Sequence, residues 1–261
     1  MITKNRSDGR DMAATCTLGR SGVSQEKATA EASWRASDQP AEGFVNAVRI
    51  HTALTAAMEK RLLIWIAKRM PSAIHPDHLT ALALFAQVLA GIAYALAARD
   101  PRALWLVNGL LVLNWFGDSL DGTLARVRNQ QRPRYGFYVD HVADVIGALA
   151  LLSGLGCSGY VHWPIAAGML IGFYMLSIES YLAAYSVGRF QLSHGPFGPT
   201  EIRILLAVGN VVLLTHPYVN IAHRHFLLFD AGGSIAIAGM MGMFLSASVR
   251  HTSLLYSAEP V

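Results

Sequence analysis

The feature that most limits how this 261-residue chain can fold is a succession of long apolar segments separated by short polar ones. About 20 apolar residues in a helix cross the hydrocarbon core of a bilayer. Six segments approach that length: Leu79 to Ala98, Ala103 to Gly117, Phe137 to Leu155, Trp163 to Ser186, Glu201 to Thr215 and Leu227 to Val249. The fourth carries Pro164 in its first turn, where a missing N–H costs little, and Pro217 ends the short fifth. The last is rich in Gly, Ala and Met, and its small residues permit close helix packing. Composition agrees: 53% of residues are hydrophobic, 15% are charged, and mean hydropathy is +0.35. A soluble chain carries about a quarter charged residues. The predicted class is all-α, a polytopic membrane protein of six transmembrane helices preceded by an interfacial amphipathic helix.

Four regions follow. Residues 1–45 are polar, without a sustained apolar period, and read as a disordered N-terminal tail. Residues 46–75 read as the juxtamembrane amphipathic helix. In it Leu62, Leu63, Ile66 and Met70 recur at helical spacing beside Trp65, bracketed by Lys60, Arg61, Lys68 and Arg69. Residues 76–250 hold the six spans, and 251–261 form a short C-terminal tail. No apolar stretch follows the early basic residues, so a signal peptide is not expected. Cys16 and Cys157 lie far apart, with neither a disulfide framework nor zinc spacing.

Orientation follows from the basic residues. With the N-terminus in the cytoplasm, 11 of the 14 Lys and Arg residues from Lys60 onward fall inside; Arg99, Arg102 and Arg224 fall outside. The ends of the second and third spans that face each other are then cytoplasmic.

Those ends carry the chemistry. Asp118 and Asp121 lie three apart, and Asp140 and Asp144 four apart, so each pair shares one face of its helix. Four converging carboxylates repel unless cations or protons separate them. Such a donor set suits hard divalent metals. Gly122 stands one turn after Asp118 and leaves room for a ligand to approach the helix. Ala125 is also small, and Arg126 adds a planar donor fork suited to phosphate. Metal ligands, small residues and a phosphate-binding cation on one surface make a site for a metal-bound pyrophosphate.

The arrangement D-x2-D-G-x2-A-R, a nine-residue gap, then G-x3-D-x3-D resembles the signature of the CDP-alcohol phosphotransferase (phosphatidyltransferase) family. Asp118, Asp121, Gly122, Ala125, Arg126, Gly136, Asp140 and Asp144 occupy its eight fixed positions. Pro76-Asp77-His78-Leu79-Thr80 is similar to the family's P-N-x-L-T lead into the first span, with Asp77 in place of Asn. The resemblance covers roughly residues 60–250. It implies an enzyme of phospholipid biosynthesis in which an alcohol acceptor attacks a CDP-linked donor and CMP is released. It further implies two ions, Mg2+ or Mn2+, held by Asp118, Asp121, Asp140 and Asp144, with Asp144 as general base. Gly122, Ala125, Arg126 and Gly136 would bind the CDP moiety. The lipid bilayer is a partner, nucleic acid is not, and the resemblance allows a homodimer.

Further residues bear on the branch. Asp140-His141-Val142-Ala143-Asp144 is similar to the D-H-x-x-D form of the choline and ethanolamine phosphotransferases, where His141 could be the base. Glu179-Ser180-Tyr181 and Gly198-Pro199-Thr200-Glu201 lean the same way. Glu179 in an apolar helix needs a partner or water. Glu201 suits a helix N-terminus as well as a site. Arg189 and Arg203 flank the loop before the fifth span and suit a phosphate on donor or acceptor, or topology alone. The alternative function is a cation transporter using the aspartates. A transporter site is expected near the bilayer midplane, however, and this one is at an edge beside Gly, Ala and Arg.

Overall fold

A computed structural model describes residues 56–187, 199–221 and 223–259. The expected tail, the start of the interfacial segment up to residue 55, and Arg189 lie outside the described residues. In chain order the elements are α1 (Ala56–Arg69), α2 (Pro76–Ala97), α3 (Ala103–Val127), α4 (Pro133–Gly156), α5 (Trp163–Ser186), α6 (Pro199–Leu213), β1 (Tyr218–Ile221), β2 (Arg224–Leu227) and α7 (Leu228–Ala258).

The fold is an all-α polytopic membrane fold. Helices α2, α3, α4, α5 and α7 are long and apolar enough to cross a membrane. The expected fifth span, α6, has 15 described residues and is shorter than a full crossing needs. Three boundaries differ from the hydropathy reading. α3 continues unbroken through Asp118 to Val127, where Leu120 and Leu124 keep an apolar stripe buried along the motif. α4 starts at Pro133, at the helix N-terminus where proline fits, which puts Gly136 in its first turn. α7 runs past Val249 to Ala258, so most of the expected C-terminal tail is helical.

Small residues set the packing of the central helices. Ala83, Ala86, Ala90, Gly91, Ala93 and Ala97 of α2 are buried against α3 and α4. A Cβ on Gly154 of α4 would stand 1.9 Å from the Gly91 carbonyl oxygen, and one on Gly91 2.2 Å from that of Ala150. The two backbones therefore touch, as small residues allow in lipid. The last span also packs closely, on α5, where Ile237 and Met240 lie against Gly168 and Gly172. In α7, Gly232, Gly239 and Gly242 have nothing within 4 Å, and Gly233 alone of its glycines is packed, on Ile165 and Met169.

α1 turns one stripe inward. Leu63, Ile66, Ala67 and Met70 pack on Leu79, Leu120 and Leu124, while Leu62 and Trp65 stay exposed. The Arg128 guanidinium donates to the carbonyls of Met70, Pro71 and Ile74, at 2.9, 2.8 and 2.6 Å, and ties the α1–α2 turn to the end of α3.

α6 docks on α3 through polar contacts. Asn210, fully buried, accepts from the Tyr94 hydroxyl at 2.9 Å and donates to Asn108 at 2.8 Å; Asn108 donates to the Ala207 carbonyl at 3.2 Å. α5 and α7 run parallel. Near their starts the His162 N–H donates to Asp230 at 2.8 Å, and further along both helices His251 Nδ1 meets Glu179 Oε1 at 2.5 Å. Between α6 and α7 the chain forms an antiparallel hairpin in the register Tyr218↔Leu227 to Ile221↔Arg224, where hydropathy predicts only a connection. His223 takes φ 63° in its turn, a conformation histidine tolerates better than branched residues do.

Candidate active site

The last turns of α3 present Asp118 and Asp121, and the early turns of α4 present Asp140 and Asp144. The link between them is short, so both pairs stand at one end of the bundle. Asp118, Asp140 and Asp144 line a narrow cavity together with Thr80, Gln87 and Asn114. Its interior offers about 10 Å³, room for a water molecule.

Two carboxylates are held by neighbouring helices. Arg203 of α6 donates from Nη2 to Asp118 Oδ2 at 2.6 Å and from Nε to Asn114 Oδ1 at 2.7 Å. The Arg203 side chain is only 15% exposed, so this pair is shielded more than a surface one. Asn114 donates in turn to the Ala83 carbonyl at 2.9 Å and to Gln87 at 3.2 Å. Thr80 of α2 donates to Asp121 Oδ2 at 2.6 Å, and the Gly122 N–H donates to Asp121 Oδ1. Asp121 thereby faces α2 and is not among the residues lining the cavity.

The donor set suits a hard divalent cation, since oxygen ligands of four carboxylates sit on adjoining turns. Among the described residues no three acidic, His or Cys side chains are placed to hold one metal ion together as they stand. Arg203 and Thr80 hold Asp118 and Asp121 toward α6 and α2. The remaining motif residues leave open space. A Cβ on Gly136 would meet nothing within 4 Å, and one on Gly122 only the Arg126 guanidinium, at 3.5 Å. Neither glycine is needed for helix packing, so both leave a cradle that a Cβ would narrow. Arg126 is exposed and donates to Thr123 Oγ1 at 3.0 Å; Ala125 is half-buried beside it.

His141 lies apart from the cavity. Its ring packs on Phe137 at 4.0 Å and edge-on to Tyr181 at 4.8 Å, with Nδ1 against the Phe137 carbonyl oxygen at 2.5 Å. Glu179 is buried and paired with His251. Glu201 is in the first turn of α6, and Arg203, two residues on, is placed on Asp118; Arg189 lies outside the described residues. At the same end of the bundle Arg132 bridges to Asp77 at 2.5 Å, and hydrogen bonding to that carboxylate holds the guanidinium above its ordinary pKa.

Thr80, Gln87, Asn114 and His251 are absent from the sequence-derived set. Three of them had a readable signal: Thr80 and Gln87 lie seven apart on one face of the apolar α2, and Asn114 sits one turn before Asp118 on the apolar α3. His251 had none, because it falls beyond the expected end of the last span.

The sequence is also similar to known proteins. Over 119 residues the chain is 30% identical to the archaetidylinositol phosphate synthase of Pyrococcus horikoshii; the match covers 45% of this chain and 60% of that protein. A family model described as CDP-alcohol phosphatidyltransferase matches residues 73–245, from the start of α2 into α7, and takes in every aspartate of the site. With the motif, the helical architecture and this match in accord, the chain belongs to the CDP-alcohol phosphatidyltransferase family.

Proposed function

We propose that this protein transfers a phosphoalcohol or phosphatidyl group from a CDP-linked donor to an alcohol acceptor and releases CMP, in phospholipid biosynthesis. The observation that carries the reading is the meeting of Asp118, Asp140 and Asp144 in one cavity, beside two motif glycines that packing does not require.

The chain's own residues divide the work. Arg126 binds a phosphate of the pyrophosphate through its planar fork. Gly122 and Gly136 let the nucleotide approach the α3 and α4 backbones, and Ala125 leaves space beside them. Asp118, Asp121, Asp140 and Asp144 would hold Mg2+ or Mn2+, which when bound supplies positive charge to the pyrophosphate and the departing CMP. Asp144 accepts the proton of the acceptor hydroxyl. That oxygen bonds to the phosphorus bearing the transferred group, the bond from this phosphorus to the bridging oxygen breaks, and CMP leaves with the bridging oxygen. Asp144 is the better base because it lines the cavity, whereas His141 packs between Phe137 and Tyr181.

His141 and the name of the archaeal relative point to different acceptors. With the histidine outside the cavity, the archaetidylinositol phosphate in the relative's name is the better guide, and Arg203 is a suitable cation for an acceptor phosphate. The Lys and Arg distribution favours a cytoplasmic N-terminus and site.

The test is purified protein in lipid with Mg2+ or Mn2+ and labelled CDP-diacylglycerol or CDP-choline, each with its acceptors. CMP release is expected to depend on the metal and to be lost in Asp144→Asn. Release that survives Asp144→Asn removes its role as base, and ion flux without CMP release favours a transporter.

A further inference from the structure

We propose that Arg203 is a built-in counter-cation of Asp118 that a divalent cation must displace, so that loading the site frees a guanidinium on α6. The proposal deepens the metal-dependent reading above and rests on it. Asp118 Oδ2 accepts from Arg203 Nη2 at 2.6 Å. That bond takes one acceptor site of the carboxylate, so a cation binding Asp118 must share it with a full positive charge a few ångströms away. The Asp118 cavity has room for about one water, so little solvent screens a guanidinium from a doubly charged ion beside it. Arg203 also lies within electrostatic reach of Asp144, so its charge serves carboxylates of both helix pairs.

A guanidinium could instead stay in place as an outer partner that orients a ligating carboxylate. Two observations decide for displacement. Arg203 holds Asp118 toward α6, and although Asp118, Asp140 and Asp144 line one cavity, among the described residues no three such side chains are placed to hold one ion together. The second anchor of Arg203, Asn114 Oδ1, is itself part of the cavity wall, so the guanidinium sits beside the space the carboxylates share. The rest of α6 is fastened separately, through Asn108, Asn210 and Tyr94, so the exchange needs only the Arg203 side chain and its first turns to move.

The experiment uses the full chain in lipid nanodiscs with Mn2+ alone, and binding is read by electron paramagnetic resonance. Arg203→Gln is expected to bind Mn2+ about tenfold more tightly than wild type, within the usual span of coupled equilibria. In wild type, Mn2+ is expected to increase modification of Arg203 by an arginine-directed dicarbonyl reagent, read by peptide mass spectrometry. Equal or weaker binding by Arg203→Gln assigns Arg203 to orienting Asp118 and overturns the proposal. Should that variant fail to fold, wild-type labelling decides: unchanged modification of Arg203 with Mn2+ bound also overturns it. Wild-type protein that binds no Mn2+, even with CDP present, overturns the metal reading itself and this proposal with it.

Discussion

Replacing Gly154 by alanine tests whether the α2–α4 crossing is what the central packing depends on. The added Cβ would lie 1.9 Å from the Gly91 carbonyl oxygen, 2.4 Å from its carbonyl carbon and 2.7 Å from its Cα. Ordinary contact begins near 3.4 Å, so the helices must separate by roughly 1.5 Å at this point. All three obstacles are backbone atoms, so no rotamer change relieves them. Overpacking a well-packed interior costs about 1–3 kcal/mol, and a rigid backbone obstacle belongs at the upper end. Against this, alanine in a helix gains up to about 1 kcal/mol over glycine. The net expectation is a loss of about 1–2 kcal/mol, measured by denaturant titration in mixed micelles with tryptophan fluorescence as the signal. Gly242→Ala is the control: nothing lies within 4 Å of its added methyl, so stability is expected to hold or rise slightly. Gly154→Ala as stable as the control would refute the backbone contact.

Two further predictions concern buried polar groups. Asn210→Leu strands the Tyr94 hydroxyl and the Asn108 carbonyl oxygen inside the bundle; a loss of about 1–3 kcal/mol is expected, and Tyr94→Phe added to it should recover part of that in a double-mutant cycle. A double mutant no more stable than Asn210→Leu alone would mean the Tyr94 bond contributes nothing. His141→Phe keeps a ring between Phe137 and Tyr181, so CMP release by the folded variant is expected to stay within about tenfold of wild type with an unchanged pH profile. A fall of about 100-fold or more would restore His141 as the base.

What could be read from the sequence divides along physical lines. The four aspartates were legible because their spacing is local: i, i+3 and i, i+4 fix a shared helix face before any tertiary contact exists. The helices were legible because lipid demands long apolar runs. Their ends were less so, since Asp118 to Arg126 looks like the end of a hydrophobic segment yet continues α3 without a break. Partnerships across the bundle were not legible. Arg203 is 85 residues from Asp118, and Asn210 is 116 from Tyr94. No local pattern specifies which cation meets which carboxylate. His141 shows the opposite hazard: adjacent to Asp140 in sequence, it points 100° around the helix, into an aromatic cluster instead of the cavity.

The glycines separate structure from function in a way the motif by itself does not. In an apolar helix a glycine is ordinarily a packing device, and Gly91, Gly117 and Gly154 behave so, since a methyl group at any of them would run into backbone atoms of a neighbouring helix. Gly122 and Gly136 stand in equally regular helices with room for a methyl group. Each forgoes helix stability there, about 0.8–1.0 kcal/mol relative to alanine, with no packing gain to offset it. Packing therefore explains glycine on the α2–α4 crossing and fails to explain it beside the aspartates. Gly109, Gly232, Gly239 and Gly242 are open in the same way, so space alone does not mark a site; what sets Gly122 and Gly136 apart is their place beside the aspartates, where a nucleotide pyrophosphate would need an unobstructed surface.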